Sequence, residues 1–141
     1  MDTQKYTEKS LSALENAQSE ALRRRNSELS TLHLLHALVF QENGFVPRIL
    51  EKMEYDIPTI KQLLNKSFQL LPTISGSLVG RLITSNEMNQ ALIRAEDEAK
   101  KLSDEYISVE HFLLALAQEN KNQSVGKIFF ELGLTQEGLI N

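Results

Sequence analysis

Cysteine is absent from the 141-residue chain. Its absence removes disulfides, thiolate metal sites and cysteine nucleophiles, and it fits a reducing cytosol. Basic charge is short as well: 15 lysines and arginines stand against 19 aspartates and glutamates, a net charge of −4. A nucleic-acid binder normally carries a basic patch to neutralise phosphates, so no nucleic-acid partner is expected. No apolar run approaches the roughly 18 residues of a membrane span. The opening Met1-Asp2-Thr3-Gln4-Lys5 also lacks the charged-then-apolar layout of a secretion signal. No membrane partner is expected, and a cytoplasmic location is. What remains, with 41% hydrophobic and 24% charged residues, is a globular profile long enough for one domain and one core.

Within this chain a segment recurs. Ser30-Thr31-Leu32-His33-Leu34-Leu35-His36-Ala37-Leu38 is echoed by Ser108-Val109-Glu110-His111-Phe112-Leu113-Leu114-Ala115-Leu116, and His33 and His111 are 78 residues apart. At the same shift Ala13, Leu14, Ala17, Glu20 and Ala21 meet Ala91, Leu92, Ala95, Glu98 and Ala99. Past a one-residue insertion, Val46, Arg48 and Ile49 meet Val125, Lys127 and Ile128. Small and apolar positions matched at helical spacing mean two copies of one helical unit. The expected fold is all-α: two tandem four-helix repeats, about 6–69 and about 84–141, packed with pseudo-twofold symmetry and joined by a linker at about 70–83.

In each repeat the first helix is expected over Thr7 to Arg24 or from Thr84 onward, with Leu11, Leu14, Ala17, Ala21 and Leu22 on one side of the first copy. Thr7 is a plausible N-cap, and Thr84 with Glu87 has the spacing of a capping box. Ser30 and Ser108 should cap the second helices. Third helices are expected near Pro47 to Met53 and Val125 to Leu132, the latter stopped by Gly133. Fourth helices should follow Asp56, with Pro58 in the first turn, and Thr135. No stretch alternates like a strand. Leu71 to Ile83, with Pro72, Gly76 and Gly80, reads as an extended linker across the surface. Only Gln136 to Asn141 follow Thr135, and so short a helix suggests the front segment of a longer protein.

Little in the chain suggests chemistry. His33 and His36 share a helix face, but zinc usually needs a further ligand in tetrahedral geometry, so no metal site is expected. His33 and His111 are better placed, at the third helical position, to hydrogen-bond near the helix start or the repeat partner. Arg23, Arg24 and Arg25 suit a solvated helix end whose dipole favours cations. Glu96, Asp97 and Glu98 followed by Lys100 and Lys101 read as a charged outer face. No Gly-x-x-x-x-Gly-Lys-Ser/Thr loop is present, and no serine–histidine–acid set has the spacing of a hydrolase, so no catalytic residue and no cofactor of this segment is expected.

The doubled signature, Ser30 to Leu38 and Ser108 to Leu116, resembles the N-terminal domain of Clp-type AAA+ chaperones. Leu71-Pro72 before the Gly76 linker and Asp104-Glu105-Tyr106-Ile107-Ser108-Val109-Glu110-His111 make it most similar to the ClpB-type disaggregases. That resemblance implies a mobile, non-catalytic recruiting domain for unfolded or aggregated protein clients. The domain alone would be a monomer, and the parent protein a homohexamer that hydrolyses ATP. It also implies that Thr7, Asp104 and Glu110 border the client-binding surface. As residues alone they are equally a helix cap, a turn residue and a carboxylate at a helix N-terminus. Binding unfolded chains further needs an apolar groove. Leu92, Ala95 and Ala99 with Leu11 and Leu14 are candidates, or else ordinary core. The alternative is a ClpC-like domain binding adaptor proteins or phosphoarginine. There a glutamate precedes the signature histidine in both copies; here Glu110 fits and Leu32 does not.

Overall fold

The computed structural model describes residues 3–76 and 82–140 of the chain. A short 3-10 turn, Thr3–Lys5, leads into α1 (Glu8–Arg23), α2 (Thr31–Val39), α3 (Phe45–Lys52) and α4 (Ile57–Phe68). A second set follows: α5 (Asn86–Lys101), α6 (Val109–Leu116), α7 (Ser124–Leu132) and α8 (Gln136–Ile140). The caps explain where these helices begin. The hydroxyl of Thr7 accepts the Ser10 N–H, and that of Ser85 accepts the Met88 N–H at 3.1 Å. The second long helix therefore starts one residue later than expected, because Thr84 is already committed to a strand. Asp56 precedes α4 without a side-chain cap bond; its carboxylate accepts the Thr59 hydroxyl instead, at 2.7 Å. Before α8, Thr135 Oγ1 accepts the Gly138 N–H.

The central helices are α2 and α6. Every residue of α2 except His36, and every residue of α6 except Glu110, is buried. A helix apolar all round must be enclosed, and α1 packs along α2 as α5 packs along α6. Leu32, Leu34, Leu35 and Leu38 are each at most 1% exposed, and burying a leucine stabilises by about 1.5–3 kcal/mol. Leu22, expected on the apolar side of α1, is instead 44% exposed.

Two short parallel pairings, expected nowhere in the sequence, lock the copies together. β1 (Glu28–Leu29), just before α2, pairs with β2 (Ile83–Thr84), just before α5, with Leu29 opposite Thr84. Tyr6, just before α1, pairs in the same sense with Ile107, just before α6. The Ser85 N–H donates to the Leu29 carbonyl at 2.9 Å, and the Thr7 N–H to the Ile107 carbonyl at 3.0 Å. Each repeat thus lends the segment before its first helix to the segment before the other's second helix.

After α4 the chain is strapped down rather than simply laid over the surface. Arg25 sits in the left-handed region at φ 61°. Its carbonyl accepts the Ile74 N–H at 2.9 Å, and its guanidinium donates to the carbonyls of Ile74 and Gly76. Asn26 Nδ2 donates to the Pro72 carbonyl at 3.1 Å. Residues 77–81, the part of the expected linker that holds Gly80, lie outside the described residues.

Candidate functional site

Three helix N-termini from both repeats converge on one hollow. The N-termini of α1 (cap Thr7), α3 (first residue Phe45) and α6 (cap Ser108) border a depression of about 480 Å³ lined also by Gln41, Asn43, Arg48, Val109 and Glu110. Oriented N–H groups and the helix dipoles favour a carbonyl or an anion there. Four charges balance around it: Glu8 and Glu110 against Lys9 and Arg48. Phe45 is 39% exposed, an apolar platform at the edge. Gln41 is buried, donates through Nε2 to the Lys9 carbonyl at 2.8 Å, and leaves Oε1 without a donor. A buried acceptor without a donor costs stability until one arrives.

Of the three polar residues that the resemblance nominated, the structure brings Thr7 and Glu110 together in this hollow. Asp104 does not line it and connects through His111. The Ser108 N–H donates to His111 Nδ1 at 2.9 Å, so the ring proton sits on Nε2, which donates to Asp104 Oδ2 at 2.7 Å. In the first repeat Ser30, His33 and Asn26 form the same file, with His33 Nε2 donating to Asn26 Oδ1 at 2.8 Å. Histidine here takes the place of the usual Glu or Gln in a capping box.

Ser108, His111 and Asp104 are therefore in hydrogen-bonding sequence, which the spacing in the chain did not foretell. The arrangement is the capping box that starts α6. Nδ1 accepts the Ser108 backbone N–H at 2.9 Å and also lies 3.0 Å from Ser108 Oγ, so the Ser108 backbone shares the one lone pair that a base would need.

Burial pushes His33 down to about 4, and the nearby Arg24 charge pushes the same way. His36 is lowered too, first by burial. For Glu20 burial opposes ionisation, yet the Arg24 hydrogen bond and the charges of His36, Arg24 and Arg23 hold it below the usual carboxylate range. Burial raises the Tyr6 hydroxyl, helped by the Glu96 charge.

Burial divides the nominated apolar residues. Ala95 is wholly enclosed, Leu14 is 8% exposed and Ala99 is 4% exposed, while Leu11 and Leu92 are half-buried. The small side chains of α1 and α5 allow close packing against α2 and α6, so Ala95 and Ala99 serve helix contacts, and of the nominated residues only Leu11 and Leu92 reach the surface. The arginines at the end of α1 are likewise not merely solvated. Arg23 and Arg24 pair with Glu20, Arg24 lies 3.8 Å over the Phe68 ring, and Arg25 holds the strap. Among the described residues no cluster of three histidines or carboxylates could hold a metal ion.

A second hollow, of about 220 Å³, is the symmetry mate of the first. The N-termini of α2, α5 and α7 meet there, with Ser30, Ser85 and Gln123 as caps. At the position of Gln41 stands Glu119, 8% exposed. Its Oε1 accepts the N–H groups of Val125 and Gly126 at 3.0 and 3.3 Å, and its Oε2 is buried without a donor. The sequence did not single out this hollow, since its residues come from separate segments of both repeats. The 78-residue shift that carries Gln41 onto Glu119 was the signal available.

Comparison with known proteins agrees with this architecture. The family model described as the Clp repeat (R) N-terminal domain matches residues 5–129. The chain is 38% identical over 142 aligned residues to the chaperone protein ClpB of Bacillus cereus, and 37% identical to that of Nitratidesulfovibrio vulgaris. Each alignment covers 99% of this chain and 16% of the relative, so the chain spans about a sixth of those proteins' length. Among solved structures, the Hsp104 N-terminal domain from Candida albicans matches with a TM-score of 0.79 at 23% identity, covering 95% of this chain and 85% of that one. The N-terminal domain of the ClpV1 ATPase from E. coli also matches with 0.79, at 24% identity, covering 97% and 82%. At such identities these two matches speak for the fold alone. No helix of the described residues is long and apolar enough to cross a membrane.

Proposed function

This chain belongs to the Clp repeat N-terminal domain family, and from that premise we propose that it is the recruiting domain of a ClpB-like chaperone. It binds extended segments of unfolded or aggregated proteins and performs no catalysis itself. In a longer ClpB-like protein, a hexameric ATP-driven ring would then extract the client. One observation carries this reading: Glu110, the single exposed residue of an otherwise buried α6, faces the same hollow as Thr7, beside the platform of Phe45. An apolar client side chain would rest on Phe45. A client N–H would satisfy Gln41 Oε1, and client carbonyls would meet the helix N-termini. Asp104 acts from behind, by fixing the His111 ring that orients Ser108.

The test is anisotropy of a labelled, permanently unfolded model protein against the same protein folded. Unfolded chain should bind and folded chain should not. Thr7→Ala and Glu110→Ala should each weaken binding about tenfold, the scale of one lost charge-assisted or capping contact. Should both variants bind as the parent does, the site assignment fails.

The competing reading, an adaptor- or phosphoarginine-binding domain, draws on Lys9 and Arg48 beside three helix N-termini. Saturable binding of phosphoarginine, abolished by Arg48→Ala, would favour it.

A further inference from the structure

We propose that the second hollow receives a cationic side chain, lysine or arginine, from an extended polypeptide. The proposal concerns a place distinct from the hollow of Thr7 and Glu110. The frame of three helix N-termini accounts for acidic residues there, and Glu119 does cap α7. Capping needs only one of its oxygens, however. Gln41, its counterpart in the first repeat, is neutral, so the frame does not require charge at this position. The second carboxylate oxygen, in a residue 8% exposed, is an acceptor with no donor within the protein.

Its surroundings add to the demand. Glu28 and Glu87 also line the hollow, and among the described residues no lysine, arginine or histidine does. A small metal ion does not answer the demand, because no three acidic or histidine ligands among the described residues stand close enough to hold one. At about 220 Å³ the hollow is below the usual range of roughly 300–1,000 Å³ for small-molecule pockets, and suits a single side chain. Leu71 and Pro72 offer an apolar wall to the methylene stem. The charged head would reach Glu119 Oε2, with the hydroxyls of Ser27 and Ser124 as further acceptors.

The experiment is anisotropy, at low salt, of a labelled Gly-Ser peptide bearing one central arginine, titrated with the 141-residue chain. Replacing that arginine by citrulline, which keeps the shape and removes the charge, should weaken binding at least tenfold. So should Glu119→Gln in the protein, which leaves one oxygen for the cap. A lysine peptide should bind, and an acetyl-lysine peptide should not. Thr7→Ala and Glu110→Ala should leave this binding unchanged.

Equal binding of the arginine and citrulline peptides, or no binding of either, would overturn the proposal without help from any variant. Stoichiometric competition by free calcium or magnesium would replace it with a metal site. Loss of binding in Thr7→Ala or Glu110→Ala would move the peptide to the first hollow, and would leave the client reading standing.

Discussion

In the hollow beneath Thr7 the lining carries Lys9 and Arg48 against Glu8 and Glu110; in its twin beside Ser85 the same frame carries Glu28, Glu87 and Glu119. The helix starts, the histidine caps and the reciprocal pairings are shared. The linings differ at most positions, among them Lys9 against Glu87, Gln41 against Glu119, Glu110 against Leu32, Glu28 against Tyr106 and Phe45 against Ser124, and behind them Asp104 stands against Asn26. Backbone and core are thus kept in duplicate, while the two openings diverge in charge. Function on a duplicated scaffold is to be sought where the copies disagree.

Several changes would break or sharpen that contrast. The largest effect comes from forcing the copies to agree at the wrong place. Leu32→Glu would copy Glu110 into a position with no solvent exposure, and an unpaired carboxylate there should cost more than about 4 kcal/mol. Urea denaturation should find the variant largely unfolded, whereas Glu110→Leu should leave stability nearly unchanged.

Next comes acid. His33 titrates near 4 when folded because burial disfavours its charge, against about 6.5 in an unfolded chain. Between those values the unfolded state holds the extra proton, so stability is full above about 6.5 and declines toward pH 4 by up to about 3 kcal/mol. His36 adds in the same direction. Urea midpoints measured at pH 7 and pH 4.5 should show the decline. Asn26→Asp, which sets a carboxylate against His33 as Asp104 is set against His111, should flatten it. A profile already flat in the parent would count against a buried, neutral ring.

Gly126→Ala comes third. A Cβ there would lie 2.0 Å from the Asn120 carbonyl oxygen, and the backbone must yield at a cost of about 1–3 kcal/mol. Because Gly126 N–H also holds Glu119, arginine-peptide binding should weaken along with the thermal midpoint, and client binding should not.

The smallest effect is the most discriminating. Thr7→Ala and Ser85→Ala each remove one cap, at about 1 kcal/mol, and calorimetry should find them alike. Only the first should impair unfolded-client binding.

The repeat, the caps at Thr7, Ser30 and Ser108 and the histidine positions were legible because each is written in a few neighbouring residues, whereas Thr84 and Asp56 make no cap bond. Ser30 and His33 are three apart, and so are Ser108 and His111. The pairing segments were not legible: two residues of strand are too few to show alternation, and their partners lie far along the chain. Arg25 gave no hint of a left-handed turn, since nothing in an arginine asks for one. The nominated apolar residues divided for a different reason. Ala95 and Leu14 lie on a helical stripe, and periodicity cannot tell a stripe that meets solvent from one that meets α2 and α6. Thr7 and Glu110 came from resemblance, and their meeting in one hollow became visible only once the chain was folded.

The crossed pairings carry one more consequence. Separated from its twin, either half would bare peptide groups that water alone would have to satisfy. The halves should therefore melt in a single transition, with no stage at which one survives the other. A nick within residues 77–81 would leave two fragments still buttoned at Leu29–Thr84 and at Tyr6–Ile107. Such fragments, made separately, should find each other and restore both openings.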